Sequence, residues 1–478
     1  MNRIWIILLT ISTPLFLVSV ASTYGPWNGS DESAYVNAII CESNHTNICD
    51  LSSGEKVLKF EGTSAFIATD EPQLRTDSVY LELSSKQYSK SLSFIVTSDL
   101  TQTMVLIMVA IAALVSVILF LSIGITPYFK RKTLLLVIYL AFAMPGFSML
   151  TATPYPVGVA TFALLLYVFS TMKLLTFKHD RRNIALAVAT MTISTVIIGA
   201  TRAEVVLALI IFSLSTLLIK NSKNDGSIAE KLKRIVPLAF SVFVSTISPQ
   251  IRNVFRSLFG QFPLSTALQP ALQPALQEQD WVLTHGRIGN ILAAPFVYLD
   301  ELITMPWLES SIFVNWTYTF LLVLLFVIVG YLLVKNYIRR KEIRLVLIIL
   351  ASVIIFLPAS SALGTLRLYY VVPFGLMLIA TILDDALDLR LPLLLAANLV
   401  IIGNGISMAR FTRGVESFHY YYFDLNPTTY YLIGQTSTIC MVVSLFAVLY
   451  LNPQSERGKL SKSSPRLVRA KAVRTTSR

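Results

Sequence analysis

Residues 103–126 read TMVLIMVAIAALVSVILFLSIGIT, a run without a single charged residue or proline. As an α-helix rising 1.5 Å per residue it spans about 36 Å, enough to cross a hydrocarbon core about 30 Å thick. A buried helix of a water-soluble domain has no use for so long an apolar cylinder, because some of its faces must meet water. The stretch therefore predicts a transmembrane helix, and similar runs recur on both sides of it. They lie near 4–21, 133–151, 156–173, 184–201, 203–219, 235–248, 316–335, 344–362, 368–384, 391–408 and 431–451. The expected fold is all-α and polytopic, with about twelve spans, 235–248 being short for a bilayer. Composition agrees: 14% of the 478 residues are charged, against about 25% in soluble proteins, and mean hydropathy is +0.66.

The basic residues set the orientation. Lys130-Arg131-Lys132, Lys178 with Arg181-Arg182, Lys231 with Lys233-Arg234, and Arg339-Arg340-Lys341 fall in alternate connections. The tail 452–478 is also strongly basic and lacks apolar periodicity. All these groups share one side when both termini are cytoplasmic. Asp384, Asp385 and Asp388 are the discordant acids there, and acids weigh little in this rule. The net charge of +12 is then a signal of topology and lipid surface, not of nucleic-acid binding. Ser19-Val20-Ala21 after the first apolar run has the look of a cleavage site, but an uncleaved first helix is the expectation.

Two long segments fall on the outer face. Residues 22–102 contain alternating stretches at Val57–Glu61, Ser78–Leu83 and Ser91–Val96, which predict a small β-rich cap. Residues 249–314 carry the repeat Ala-Leu-Gln-Pro at 267–270 and 271–274, whose prolines forbid a regular helix. From Gly289 to Leu308, apolar residues at helical spacing predict an interfacial helix. The membrane domain thus covers 1–451, followed by the tail. Cys41 and Cys49 lie close together in the first outer segment, where a disulfide and two free thiols both remain open; Cys440 reads as packing.

Few side chains able to do chemistry remain. Asp31 and Glu32 form a carboxylate pair just after the first apolar run, where a membrane transferase would keep its base. Solvated charge at a helix end is the competing reading. Arg202 and Glu204 occupy a tight outer turn, Thr201-Arg202-Ala203-Glu204, and Arg367 stands at the outer entry of another span, followed by Tyr369 and Tyr370. Charge at membrane depth is costly and marks function by default, and an arginine fork suits phosphate oxygens. Both arginines can instead snorkel to lipid headgroups. His285 and His419 are outer-face histidines for which a structural role is the leading reading, and Tyr420–Tyr422 and Tyr430–Tyr431 read as interfacial aromatics. Asn28, Asn44 and Asn315 open glycosylation sequons of the kind that also arise by chance. No P-loop, dinucleotide fingerprint, HExxH, zinc spacing or serine elbow occurs.

Four stretches resemble a domain-of-unknown-function family of predicted bacterial multipass membrane proteins, itself similar to GT-C glycosyltransferases. They are Pro26–Tyr35 with its Asp31-Glu32, Met144-Pro145 with Thr151-Ala152-Thr153-Pro154, Thr201–Glu204, and Leu366–Pro373. The likeness covers roughly residues 20–385. Tyr35 stands where that family has histidine, Thr153 where it has asparagine, and Leu368 intervenes between Arg367 and the tyrosines.

The resemblance implies a bacterial cell-membrane protein that uses a polyprenyl-phosphate-linked sugar as donor and an envelope glycan, lipid or protein as acceptor. Asp31, with Glu32, would be the catalytic acid pair. Arg202 and Arg367 would hold the donor phosphate, with Glu204, Tyr369 and Tyr370 lining the substrate site. The resemblance fixes no cofactor, and a divalent cation near Asp31 stands as an open alternative. Two rival expectations stand beside it: a transporter or flippase of lipid-linked saccharides, and a non-catalytic membrane scaffold.

Overall fold

The computed structural model describes residues 3–24, 39, 43, 86–97, 100–125, 135, 139, 156–176, 181–201, 204–218, 228–247, 345–349, 351–353, 394–395, 397–399, 401–402 and 427–450. Among the described residues the structure is helical, apart from two extended residues at 96–97 and the turn at 156, and contains no strand. The helices are α1 (Arg3–Tyr24), α2 (Lys86–Leu92), α3 (Leu100–Ile125), α4 (Val157–Thr176), α5 (Arg181–Thr201), α6 (Glu204–Leu218), α7 (Ile228–Ile247) and α8 (Pro427–Tyr450), with a 3₁₀ turn at Ser93–Ile95 after α2.

Three of these helices are long and apolar enough to cross a membrane: Leu106–Ile125, Val157–Leu175 and Arg181–Thr201. Shorter apolar stretches run over Ile4–Ser19, Ala208–Leu217, Arg234–Phe243 and Leu432–Ala447. Each coincides with an apolar run of the sequence. Helical residues at 135, 139, 345–349, 351–353 and between 394 and 402 fall within three more. The runs at 316–335 and 368–384, the second outer segment and the basic tail lie outside the described residues.

One expectation is corrected. Ser91–Val96, read as a strand, is the end of α2 followed by a 3₁₀ turn. Local hydrogen bonds explain it: Ser91 Oγ donates to the Tyr88 carbonyl (2.7 Å) and Ser93 Oγ to the Lys90 carbonyl (2.8 Å). Serines that bond back to a carbonyl three residues earlier favour turns over an extended ladder. The alternation Leu92, Phe94, Val96 was a chance match to a period of two. The other two stretches assigned to the cap, Val57–Glu61 and Ser78–Leu83, lie outside the described residues.

Among the described helices, packing centres on α4. From Val157 to Leu174 every residue is buried, because α3, α5, α6 and α7 all pack against this helix. The tightest neighbour is α5, joined to it through residues 177–180, so the two run antiparallel. The face of α5 turned inward carries Ala187, Thr190, Met191, Ser194, Thr195, Ile198, Gly199 and Thr201. Small residues at this spacing let two helix backbones approach closely, which is how helices associate where lipid is as apolar as the core. The opposite stripe of α5 exposes Leu186, Ile193 and Val196. A second contact unit joins α1 to α8 and to α3.

Hydroxyl groups along these helices mostly bond to their own backbone. Thr161 donates to the Val157 carbonyl (2.7 Å), Ser116 to Ala112 (2.7 Å) and Ser122 to Ile118 (2.8 Å). This satisfies the hydroxyl without any tertiary partner. Ser170 and Thr190 also reach each other at 2.8 Å, tying α4 to α5. A double-mutant cycle with Ser170→Ala and Thr190→Val should give a coupling energy of about 0.6 kcal/mol and not above about 1.7 kcal/mol. Reversible unfolding in mixed micelles measures it. A coupling indistinguishable from zero would mean that close packing alone holds the pair.

Candidate functional site

The polar groups fixed best by the structure lie at mid-depth in the bundle. Tyr167 is the eleventh residue of the twenty-residue α4 and is completely buried. Its hydroxyl donates to the Pro237 carbonyl of α7 at 2.6 Å and lies 2.9 Å from Ser213 Oγ of α6. A phenol has one proton, and a carbonyl can only accept, so Ser213 is the donor in the second bond. Ser241 of α7 borders the same hydroxyl and is also fully buried. One tyrosine thereby joins three helices. Its ring meets Phe212 edge-to-face, with centroids 6.4 Å apart, a favoured aromatic geometry.

The acceptor belongs to a proline inside a helix. Proline has no N–H for the helix ladder and crowds the turn before it, yet α7 runs without a break from Ile228 to Ile247. The bond from Tyr167 ties that turn of α7 to α4 at the proline itself.

A second junction repeats the pattern. Thr13, halfway along α1, and Tyr139 are both fully buried, with their hydroxyls 2.6 Å apart. Thr13 Oγ1 spends its proton on the Leu9 carbonyl (2.6 Å), so Tyr139 donates to Thr13. Near the end of α4, Lys173 is 94% enclosed, its exposure being 6%. A cation in the last turn complements the negative end of the helix dipole.

Sequence reading missed these tyrosines because it searched for charges. The signal was nevertheless present. Tyrosines of an interfacial belt cluster at the ends of spans, whereas Tyr139 and Tyr167 stand well inside theirs, so each hydroxyl needs a protein partner.

The residues singled out from the sequence are placed as follows. Thr201 ends α5 and Glu204 opens α6, with two residues of sequence connecting one helix to the next. Thr201 is buried at 2% exposure and its Oγ1 donates to the Ile197 carbonyl at 2.7 Å, which fixes the α5 side of that connection. Arg202 itself, Asp31, Glu32, Cys41, Cys49, Arg367, Tyr369 and Tyr370 lie outside the described residues, as do His285 and His419. Cys440 is a half-buried free thiol in α8. Among the described residues no group of histidine, cysteine or carboxylate side chains is arranged to hold a metal ion. No family model, curated protein or solved structure matches the chain.

Proposed function

We propose that this chain is a GT-C-like glycosyltransferase of the bacterial cell membrane, with about twelve spans, a β-rich cap within 22–102 and both termini in the cytoplasm. It transfers a sugar from a polyprenyl-phosphate donor to an envelope acceptor on the outer face. The observation that supports this reading is that one helix ends at Thr201 and the next, packed against it, opens at Glu204, so that only two residues of sequence, Arg202 among them, separate α5 from α6. A guanidinium at an outer helix connection would meet the depth at which a lipid-linked phosphate stands, and phosphate is what its fork binds best.

The chemistry is one inverting displacement. The acceptor oxygen bonds to the anomeric carbon as the bond from that carbon to the phosphate oxygen breaks. The Asp31 carboxylate, with Glu32 beside it, takes the acceptor's hydroxyl proton. The lipid phosphate leaves carrying the electron pair, and Arg202 with Arg367 stabilises its growing charge. Glu204, Tyr369 and Tyr370 complete the substrate surface. The cap, braced by a Cys41–Cys49 disulfide, and the interfacial helix near 289–308 exclude water. A divalent cation at Asp31 would add a further phosphate ligand.

A transporter of lipid-linked saccharides would place polar groups at mid-depth for its cargo. The mid-depth hydroxyls of Thr13, Tyr139, Tyr167 and Ser213 are instead paired with one another and enclosed. The discriminating experiment uses the full chain in vesicles charged with a radiolabelled polyprenyl-phosphate sugar and a mixed envelope acceptor fraction. Label appearing in the acceptor supports the enzyme. Label that crosses the bilayer while still attached to its lipid identifies a flippase, and label that does neither leaves the scaffold.

A further inference from the structure

The segment between α2 and α3 carries the most exposed large apolar side chain among the described residues, Phe94 at 82% exposure. It is not a loose end. Tyr88, Ser89 and Leu92 on the other side of α2 are buried at 3%, 1% and 7% exposure, and α2 packs against α5. On the side toward α3, Thr97 N–H donates to Thr103 Oγ1 at 2.9 Å, and the two threonine hydroxyls are 3.1 Å apart. Phe94 is therefore held outward between two fixed points. Lys90, on the same short helix, is exposed as well.

What covers such a side chain follows from its neighbours. Phe94 stands six residues before α3 begins and twelve before the apolar Leu106–Ile125 stretch. The exposed side chains of α3 (Leu106, Leu114 and Val117) continue that surface down the helix. Alternation of α3, the predicted span 133–151, α4 and α5 brings the start of α3 and the end of α5 to one side. That is the side of the Thr201–Glu204 connection.

We infer that α2 and its 3₁₀ turn form an interfacial anchor. Phe94 inserts among the acyl chains just below the headgroups of the outer leaflet, and the Lys90 ammonium meets lipid phosphate above it. An aromatic ring below and a snorkelling cation above is the arrangement that a bilayer interface favours. Because α2 also packs on α5, the anchor couples that helix to the interface. The inference rests on the membrane reading given under Proposed function, and its test separates the two.

The test uses nitroxide labels on single-cysteine variants of the full chain, with Cys41, Cys49 and Cys440 changed to serine, reconstituted in phosphatidylcholine and phosphatidylglycerol vesicles. Labels go at Phe94→Cys, Lys90→Cys and Val196→Cys; all three native side chains are exposed, so none of these changes touches a packed core. Collision with oxygen, which partitions into lipid, is compared with collision with a water-soluble nickel chelate. The expected result is an oxygen-to-nickel ratio highest at 196, several-fold above water at 94, and lowest at 90. A nickel-accessible label at 94 with a lipid-buried label at 196 overturns the anchor and leaves the membrane reading standing. Nickel access at 196 overturns both. A label at 94 shielded from both reagents means protein covers it, which also overturns the anchor.

Discussion

Changing Asp31→Asn together with Glu32→Gln is expected to lower transfer of a lipid-linked sugar by roughly 10²–10⁴-fold, the range a positioned general base contributes. That corresponds to about 2.7–5.5 kcal/mol of lost transition-state stabilisation. The amides keep the size of the carboxylates but cannot take the acceptor's proton. The loss should therefore appear in kcat, with KM for the donor little changed. Asp31→Asn alone should account for most of it, and Glu32→Gln alone for a smaller part. The arginines behave differently if they hold the donor phosphate. Arg202→Lys keeps the charge but loses the planar fork, so it should fall between the native chain and Arg202→Ala. Full transfer by the double amide variant in vesicles would remove the acid pair from the mechanism, and the pair would revert to solvated charge.

The second large effect is on stability. Tyr167→Ala is expected to destabilise the bundle by about 3–5 kcal/mol, because removing a fully enclosed aromatic ring leaves a cavity that a packed core closes only in part. Tyr167→Phe keeps the ring and deletes the hydroxyl, so it isolates the hydrogen bonds to Ser213 and Pro237. Interhelical hydrogen bonds in membrane proteins average about 0.6 kcal/mol with a maximum near 1.7, so the phenylalanine variant should lose about 1 kcal/mol. The ratio between the two variants is the informative quantity. Reversible unfolding of the detergent-solubilised chain measures it. An alanine variant as stable as the phenylalanine variant would show that the site collapses freely and that α4 is not the packed centre.

Where the structure describes a long apolar helix, its position was legible in the sequence to within a few residues. The apolar run at 103–126 became α3 over Leu100–Ile125, and 184–201 became α5 over Arg181–Thr201. The reason is that in lipid the length of an apolar run is set by bilayer thickness, and a helix is the only single-segment way to satisfy its backbone. The run at 235–248 was less legible, since α7 begins earlier, at Ile228, with charged residues in its first two turns. Those residues belong to the helix but not to its apolar part. The strand assigned to Ser91–Val96 failed because six alternating residues are too few to outweigh serine side chains that close turns locally. Of the candidate site, only the helix ends at Thr201 and Glu204 fall among the described residues, and both were legible because the apolar runs on either side stop there.

By itself, then, the sequence determined, for the described residues, that they form apolar helices and roughly where those helices begin and end. Tertiary structure alone decided which helix is central. α3 is the more apolar of the two, yet among the described helices α4, with Thr161, Tyr167, Ser170, Thr171 and Lys173, is the one enclosed along its length. Hydropathy ranks them in the wrong order for this purpose, because lipid and protein interior are equally apolar to a leucine. Serine and threonine hydroxyls can bond back to their own helix in either environment, but a tyrosine hydroxyl stands too far from its own backbone, and Tyr167 finds Ser213 and Pro237 only once α4, α6 and α7 have come together.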